Sequence, residues 1–409
     1  MAKINVIDLF AGCGGLCEGF ELSKHYNTLA CVEWEKAPCD NLRKHLKERW
    51  GIKNADERVL RFDIQRTDEL FSGWKNDKKY DSSKGLDEII GNKKVDMIIG
   101  GPPCQAYSIA GRVRDENGMK NDYRNFLFES YIKVVKKYHP KAFVFENVPG
   151  ILSAAPTGEL IIDIIKKAFS DAGYIVLSNI SKAIVDFSDF GVPQFRKRII
   201  ILGLSKEYYG ENAEKLLDRF YFDTLPRKKT SVKRTVRDAI GDLPKLFPLK
   251  EEMVIKRKKF SHSFDDGTIA NHIPRWHSER DIKIFSMLCK DIETGANKYV
   301  STEALKQVYT EFTGHTSNVH KYHVIRWDEP SNLIPAHLYK DGLRHIHPDG
   351  KQARSITVRE AARLQGFPDD YVFIGTQADQ FKMIGNAVPP SFSKILADSI
   401  YELLFKEET

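Results

Sequence analysis

Over residues 1 to about 204 the chain repeats one pattern, a short apolar run followed by a stretch with helical spacing. INVIDLF, YNTLACVEW, VDMIIGG, AFVFENV, YIVLSNI and RIIILGL are the apolar runs, while FLFESYIKVVKKY and GELIIDIIKKAFSDAG carry helical periodicity. Strands alternating with helices at this rhythm predict an α/β fold, a doubly wound and mostly parallel sheet. Ligands of such sheets belong beyond the carboxyl ends of the strands. The polar tract from 72 to 94, SGWKNDKKYDSSKGLDEIIGNKK, reads as a surface insertion.

From about 205 the rhythm stops. PRKKTSVKRTVRD and EEMVIKRKKF cluster Lys and Arg, and nine of the 12 histidines lie between His262 and His347, among Trp276, Tyr322 and Trp327. Regular texture returns near 352 with SITVREAARLQGF and a last helical segment. A chain of 409 residues can bury a large core and divides into domains. The expected division is a first domain over 1–205, a smaller second over 206–350, and a segment over 351–409 that completes the first. The net charge of +7 is modest, so the placement of charge matters more than its sum. Six cysteines show no CxxC pair and no zinc-ligand spacing, and HIH at 345–347 with Cys289 elsewhere gives no compact ligand set. A reduced, cytosolic protein without a structural metal is expected. No signal peptide and no membrane span are expected either.

Three strand ends carry candidate binding groups. DLFAGCGGL at 8–16 closes the first strand with a glycine-rich turn whose backbone can approach a ligand, though its spacing is not GxGxxG. The second strand ends in Glu33, where an acid can take ribose hydroxyls, and Trp34 beside it can stack on a base. Asp63, in RFDI, ends a third. The set fits an adenosine ligand without saying which one. GGPPCQAYS at 100–108 stiffens the backbone ahead of Cys104. A free thiol is only partly ionised at neutral pH, so a reacting Cys104 needs activation. The polar segment after it, with Gly111, Gly118, Arg112 and Arg114, reads as a loop that closes over a substrate. FENVPG places Glu146 near Cys104 if the two strands are neighbours, suited to proton transfer. GVPQFRKRIII sets Arg196 and Arg198 at period two. Singly, each has a plainer reading: a buried turn thiol, a capping carboxylate, a solvated charged edge.

In combination, FAGCGG, PPCQ, ENV, QxRxR, the RExARLQGFPD helix and GNAVPP resemble the bacterial-type DNA (cytosine-5) methyltransferase family. The resemblance covers 1–205 and 352–409; the middle resembles the family's variable target-recognition domain in position and size. It implies a methyltransferase fold and S-adenosyl-L-methionine as cofactor. Phe10 would pack on the adenine, Glu33 would hold the ribose, and Asp63 would bond the adenine amino group. Trp34, Ile64 and Leu127 would line the pocket, with Gly12, Gly14, Gly15 and Pro102 beside it and Asn386 near the methionine end.

It also implies that Cys104 adds to C6 of a flipped-out cytosine, so that C5 can accept a methyl group. Glu146 would hold N3 and the exocyclic amine, and Arg198, with Arg196 nearby, the O2 side. Gln105, Ser108 and Arg112 would meet DNA near the target base. Arg275, Arg280, Lys321, Arg326, Lys340 and Arg344 are the candidates for phosphates and base edges. The implied partner is double-stranded DNA, with a cognate restriction endonuclease as a functional rather than bound partner. A monomer in the bacterial cytoplasm, nucleoid-associated through DNA and away from membranes, is the matching expectation. The rival readings are a tRNA cytosine-5 methyltransferase and a catalytically dead DNA-binding module. One departure stands out: in PSNLIPAH the family pattern leads one to expect Thr near Leu333, and Ser331 is the candidate substitute.

Overall fold

All six apolar runs become strands, and burial on both faces suits their composition. The computed structural model describes residues 3–103, 127–156, 158–264, 267–340 and 342–406. Their strands are β1 (Ile4–Leu9), β2 (Tyr26–Glu33), β3 (Val59–Arg61), β4 (Trp74–Asp77), β5 (Asp81–Ser83), β6 (Met97–Gly100), β7 (Ala142–Asn147), β8 (Tyr174–Val176), β9 (Ile184–Asp186), β10 (Lys197–Ser205), β11 (Pro248–Ile255) and β12 (Lys258–His262). The chain divides into two compact units. Unit 1 is Met1–Phe190, Arg196–Ser231 and Ala387–Thr409; unit 2 is Gly191–Phe195 and Val232–Asn386.

Unit 1 is organised by an eight-stranded sheet of order β3-β2-β1-β6-β7-β10-β8, with β9 also paired to β10. From β3 to β7 the neighbours are parallel. β10 runs antiparallel to β7, β8 and β9. The chain moves outward from β1 to β3 and then returns to the other side of β1 at β6. Strand order therefore reverses between β1 and β6, where a crevice opens in folds of this kind. Ile98, Ile99, Phe143, Val144, Phe145 and Ile199 to Leu202 are fully buried in this sheet. Each such side chain contributes about 1.5–3 kcal/mol on leaving water.

The register is what positions the site. Leu60, Val32, Leu9, Gly100, Phe145 and Ile201 form one row across the strands. Residues just past that row share one rim of the sheet. The helix Pro390–Leu404 packs on the helix Gly15–Leu22 so closely that a Cβ on Gly19 would fall 2.2 Å from Ser393 Cβ. Tyr26 Oη donates to the Ala397 carbonyl at 2.8 Å, and the residues from Ala387 onward belong to unit 1. The insertion at 72–94 is more than surface: Trp74 and Tyr80 are buried, and Trp74 stacks on Phe62 at 3.8 Å.

Unit 2 contains the hairpin β11–β12 and a core of Phe285, Leu288, Cys289, Val308, Tyr322 and Ile346. Its limits differ from the 206–350 read from sequence texture. Residues to Ser231 stay with the sheet: Tyr221 Oη donates to Ile200 O and accepts from Leu202 N, both at 2.8 Å. Residues 351–386 stay with unit 2. Buried Arg354 and Glu360 form an ion pair at 2.6 Å there, and Thr357 and Glu360 make a capping box that starts the helix Val358–Leu364.

The histidines of this unit are largely core groups. His262 Nε2 lies 2.9 Å from Gln352 O, His272 Nδ1 3.1 Å from Thr357 Oγ1, and His277 Nε2 accepts from Ser355 N at 3.1 Å. Burial depresses His262 to about 4 and His277, His345 and His347 to about 3. Among the described residues no group of three or more His, Cys, Asp or Glu is placed to hold a metal ion, and no helix is long and apolar enough to cross a membrane.

Candidate active site

The glycine-rich turn leaves β1 through Phe10, whose φ of 57° is left-handed. A non-glycine residue there costs about 1–2 kcal/mol. Gly14 caps the next helix at φ 87°, with Leu42 Cδ1 only 2.6 Å from where a Cβ would sit. Glu33 fastens this turn from the neighbouring strand end. Its Oε2 accepts Gly12 N at 2.9 Å; its Oε1 accepts Trp34 N at 2.9 Å and Glu35 N at 2.8 Å. A carboxylate offers about four acceptor positions, so Oε2 keeps room for an incoming hydroxyl. Burial pushes Glu33 upward, while the Glu35 and Gly12 N–H groups oppose it.

Further along the rim, Trp34 is 44% exposed, with the Lys79 ammonium 5.4 Å from its ring centre. Asp63 takes Gln65 N on Oδ1 at 3.0 Å, leaving Oδ2 for another donor. Ile64, Leu127 and Pro102 are buried. A base-sized aromatic face, an acid with room for a hydroxyl and an acid with an open oxygen are the groups an adenosine ligand requires. The donor set in unit 1 thus fits S-adenosylmethionine. Asn386 is different. It is not in a turn but closes the exposed end of the helix Gln377–Asn386, in unit 2.

The second half of the rim holds the candidate catalytic groups. β6 and β7 are neighbours, so the condition on Glu146 is met, with Gly100 opposite Phe145. Glu146 Oε1 accepts from Arg198 Nε at 2.9 Å, and the two side chains are only 13% and 14% exposed. Gly101 makes room for this pair: a Cβ on it would meet Glu146 Oε2 at 2.6 Å. Asn147 is buried, its Oδ1 accepting Val148 N at 2.8 Å. Arg196 is 3% exposed and donates to Ala387 O at 3.2 Å. Burial depresses both arginines, and Glu146 opposes this. Neither is a solvated edge charge. Cys104, Gln105, Ser108 and Arg112 lie outside the described residues; the described chain ends at Pro103 on this rim.

Several recognition candidates have other employment in unit 2. Arg275 donates to Leu338 O and Tyr339 O and lies 4.1 Å over the Phe381 ring, which makes it a packing residue. Arg280 pairs with Asp281 at 3.3 Å. Arg344 is exposed and reaches His320 at 3.2 Å; Lys340 is exposed; Lys321 and Arg326 are half-buried. At the family-pattern departure, Leu333 is 41% exposed and the Ser331 hydroxyl donates within its own turn, to Asn332 O at 3.0 Å, while the Ser331 backbone pairs with Pro193 and Phe195. The backbone is held instead by fully buried Gln194, whose Oε1 accepts Ile334 N at 2.9 Å, and by His345 against Leu333 O at 3.1 Å.

Two residues escaped sequence reasoning. Gln194 was legible only as part of QxRxR. Asp8, an acid inside an apolar strand, was the clearer signal. It is 1% exposed, and burial pushes its carboxyl well above the usual range.

The profile of the C-5 cytosine-specific DNA methylase family matches residues 4–402. The chain belongs to that family. It is 34% identical to the type II methyltransferase M.Bpa9945I of Bacillus paralicheniformis, across 98% of this chain and 99% of that protein. It is 30% identical to M1.HphI of Haemophilus parahaemolyticus, across 98% and 87%. Among solved structures, the S. pombe Dnmt2 methyltransferase superposes with a TM-score of 0.55 at 16% identity, covering all of both chains. That likeness concerns the fold, a mostly parallel sheet shared with this family. The enzyme is a DNA cytosine-5 methyltransferase, and its relatives are components of type II restriction–modification systems. The family assignment implies a methyl donor.

Proposed function

We propose that the enzyme transfers methyl from S-adenosylmethionine to C5 of a flipped-out cytosine in duplex DNA, through a transient bond from Cys104 to C6, and that it protects host DNA beside a cognate endonuclease. Unit 1 is the catalytic unit and unit 2 the target-recognition unit. The observation that carries this reading is the shared register row: Phe10, Glu33, Gly101 and Glu146 all follow it directly, with Arg198 paired to Glu146.

Glu33, Asp63, Trp34 and Phe10 would hold the cofactor, which when bound supplies an electrophilic methyl on sulfur. Cys104 adds as thiolate to C6, and the electron pair that leaves the ring double bond makes C5 nucleophilic. Glu146 donates or shares a proton at N3 while Arg198 bonds the O2 side, offsetting the charge that develops. Buried Arg196 donates to the Ala387 backbone and lies close enough to Arg198 for the two charges to interact. After C5 is methylated, loss of its proton to a base or water expels Cys104. Extruding the base costs a few kcal/mol, which contacts from unit 2 offset.

Tritiated methyl transfer to duplex DNA and to tRNA, with bisulfite sequencing of DNA from expressing cells, tests the reading. Label in DNA and protection of one cytosine within a fixed sequence are expected. Label confined to tRNA, or none in either, overturns it.

A further inference from the structure

The most concentrated charge in unit 2 lies in the hairpin β11–β12, outside every residue nominated above for DNA. Its loop has two residues, Lys256 and Arg257, closed by Ile255 opposite Lys258. Both have positive φ, 47° and 65°. Two-residue turns of this hand strongly prefer Asn-Gly or Asp-Gly, because other side chains are strained there. Here the strained positions hold two long cations, followed by Lys258 and Lys259. Glu252 nearer the base is occupied, pairing with Lys259 at 3.1 Å and accepting Trp276 Nε1 at 2.7 Å. Among the described residues no carboxylate pairs with Lys256, Arg257 or Lys258. Val254 and Ile255, 61% and 38% exposed, flank the tip, and Trp276 beside it is 47% exposed.

We infer that this hairpin is a DNA-contacting ribbon, with Lys256, Arg257 and Lys258 as its phosphate contacts. The inference rests on the reading of unit 2 as a duplex-recognition unit. Charge complementarity selects the partner: the row of cations lacks internal carboxylates, and a two-stranded ribbon fits a major groove of about 12 Å width. The turn keeps strained cations where asparagine and glycine would fold more easily, as expected where function opposes local stability.

The test uses the full chain, a mixed-sequence DNA duplex and S-adenosylmethionine alone as the second ligand. Replacing Lys256→Asn together with Arg257→Gly relaxes the turn. The hairpin should fold as well or better, with thermal midpoint unchanged or raised. DNA affinity should nevertheless fall roughly 5- to 25-fold near 0.1 M salt, and the slope of log affinity against log salt should shrink by about 2. Adding Lys258→Gln should bring the lost slope to nearly 3. Cofactor affinity should not move. Unchanged DNA affinity and slope in both variants overturn the inference, as does a loss accompanied by a lowered thermal midpoint in the Asn-Gly variant. Wild-type methyl transfer to DNA, measured alongside, separates the two claims: its absence defeats the functional reading, whereas its presence with unaffected variants defeats only the ribbon.

Discussion

Mild acid should unfold unit 2 through its buried histidines. His262, His277, His345 and His347 are each 6% exposed or less. Burial holds them neutral, at about 4 for His262 and about 3 for the others. Neighbouring cations reinforce this, Arg275 and Arg354 beside His277 and Arg344 beside His345, while Glu360 opposes it at His347. Burial would raise Glu360, yet the charge and hydrogen bond of Arg354 hold it well below the carboxylate range, so it stays ionised throughout. The unfolded chain binds protons at an ordinary value of about 6.5, so between there and about 4 it holds more protons than the native state. Stability is therefore full above about pH 6.5 and lost as pH falls. Each histidine withdraws about 1.4 kcal/mol per pH unit, roughly 2 kcal/mol by pH 5. Together they approach about 8 kcal/mol as an upper limit, comparable to the roughly 5–15 kcal/mol that a domain possesses. Urea titrations at about pH 7.5, 6 and 5, followed by circular dichroism and by Trp276 and Trp327 fluorescence, give the slope of stability against pH. An uptake of about three to four protons between pH 6 and 5 is expected. An uptake below one would refute the claim that these imidazoles are native and neutral.

Three further outcomes concern the rim. Arg198→Ala removes a buried donor from Glu146 and should lower kcat by about 10²–10³, with little change in cofactor affinity; single-turnover methylation measures it. Gly101→Ala drives a methyl into Glu146 Oε2 and should impair kcat while cofactor binding, followed by calorimetry, is retained. Glu33→Ala should weaken cofactor binding far more than DNA binding and also lower the thermal midpoint, because the Gly12, Trp34 and Glu35 N–H groups lose their acceptor; equal losses for both ligands contradict the ribose role.

The sheet was legible because doubly buried strands leave short apolar runs: MII at 97–99 and AFVF at 142–145 need no partner information to be read. Strand order was less so, since period and length do not encode neighbours; the adjacency of β6 and β7 was a condition that only register could meet. The rim residues Glu33, Asp63 and Glu146 were readable from their place at strand ends. The setting of Arg275 was not legible because a guanidinium over Phe381 and one facing solvent look alike in sequence. The histidines could not be placed from texture, which is the same for a surface and a core imidazole: His262, His345 and His347 are interior groups bonded to backbone. The Arg354–Glu360 pair, which ties the start of the helix Val358–Leu364 to the chain before it, carried no signal in the sequence because charge alone does not announce burial.

The central claim is a covalent bond between Cys104 and the target base. Incubating the enzyme with S-adenosylmethionine and a duplex carrying 5-fluorocytosine at the methylated position tests it, because fluorine cannot leave as a proton does. Peptide mass spectrometry should find one DNA adduct on Cys104, absent from Cys104→Ser. An enzyme that methylates the unmodified duplex yet forms no adduct, or forms it at another residue, contradicts the account.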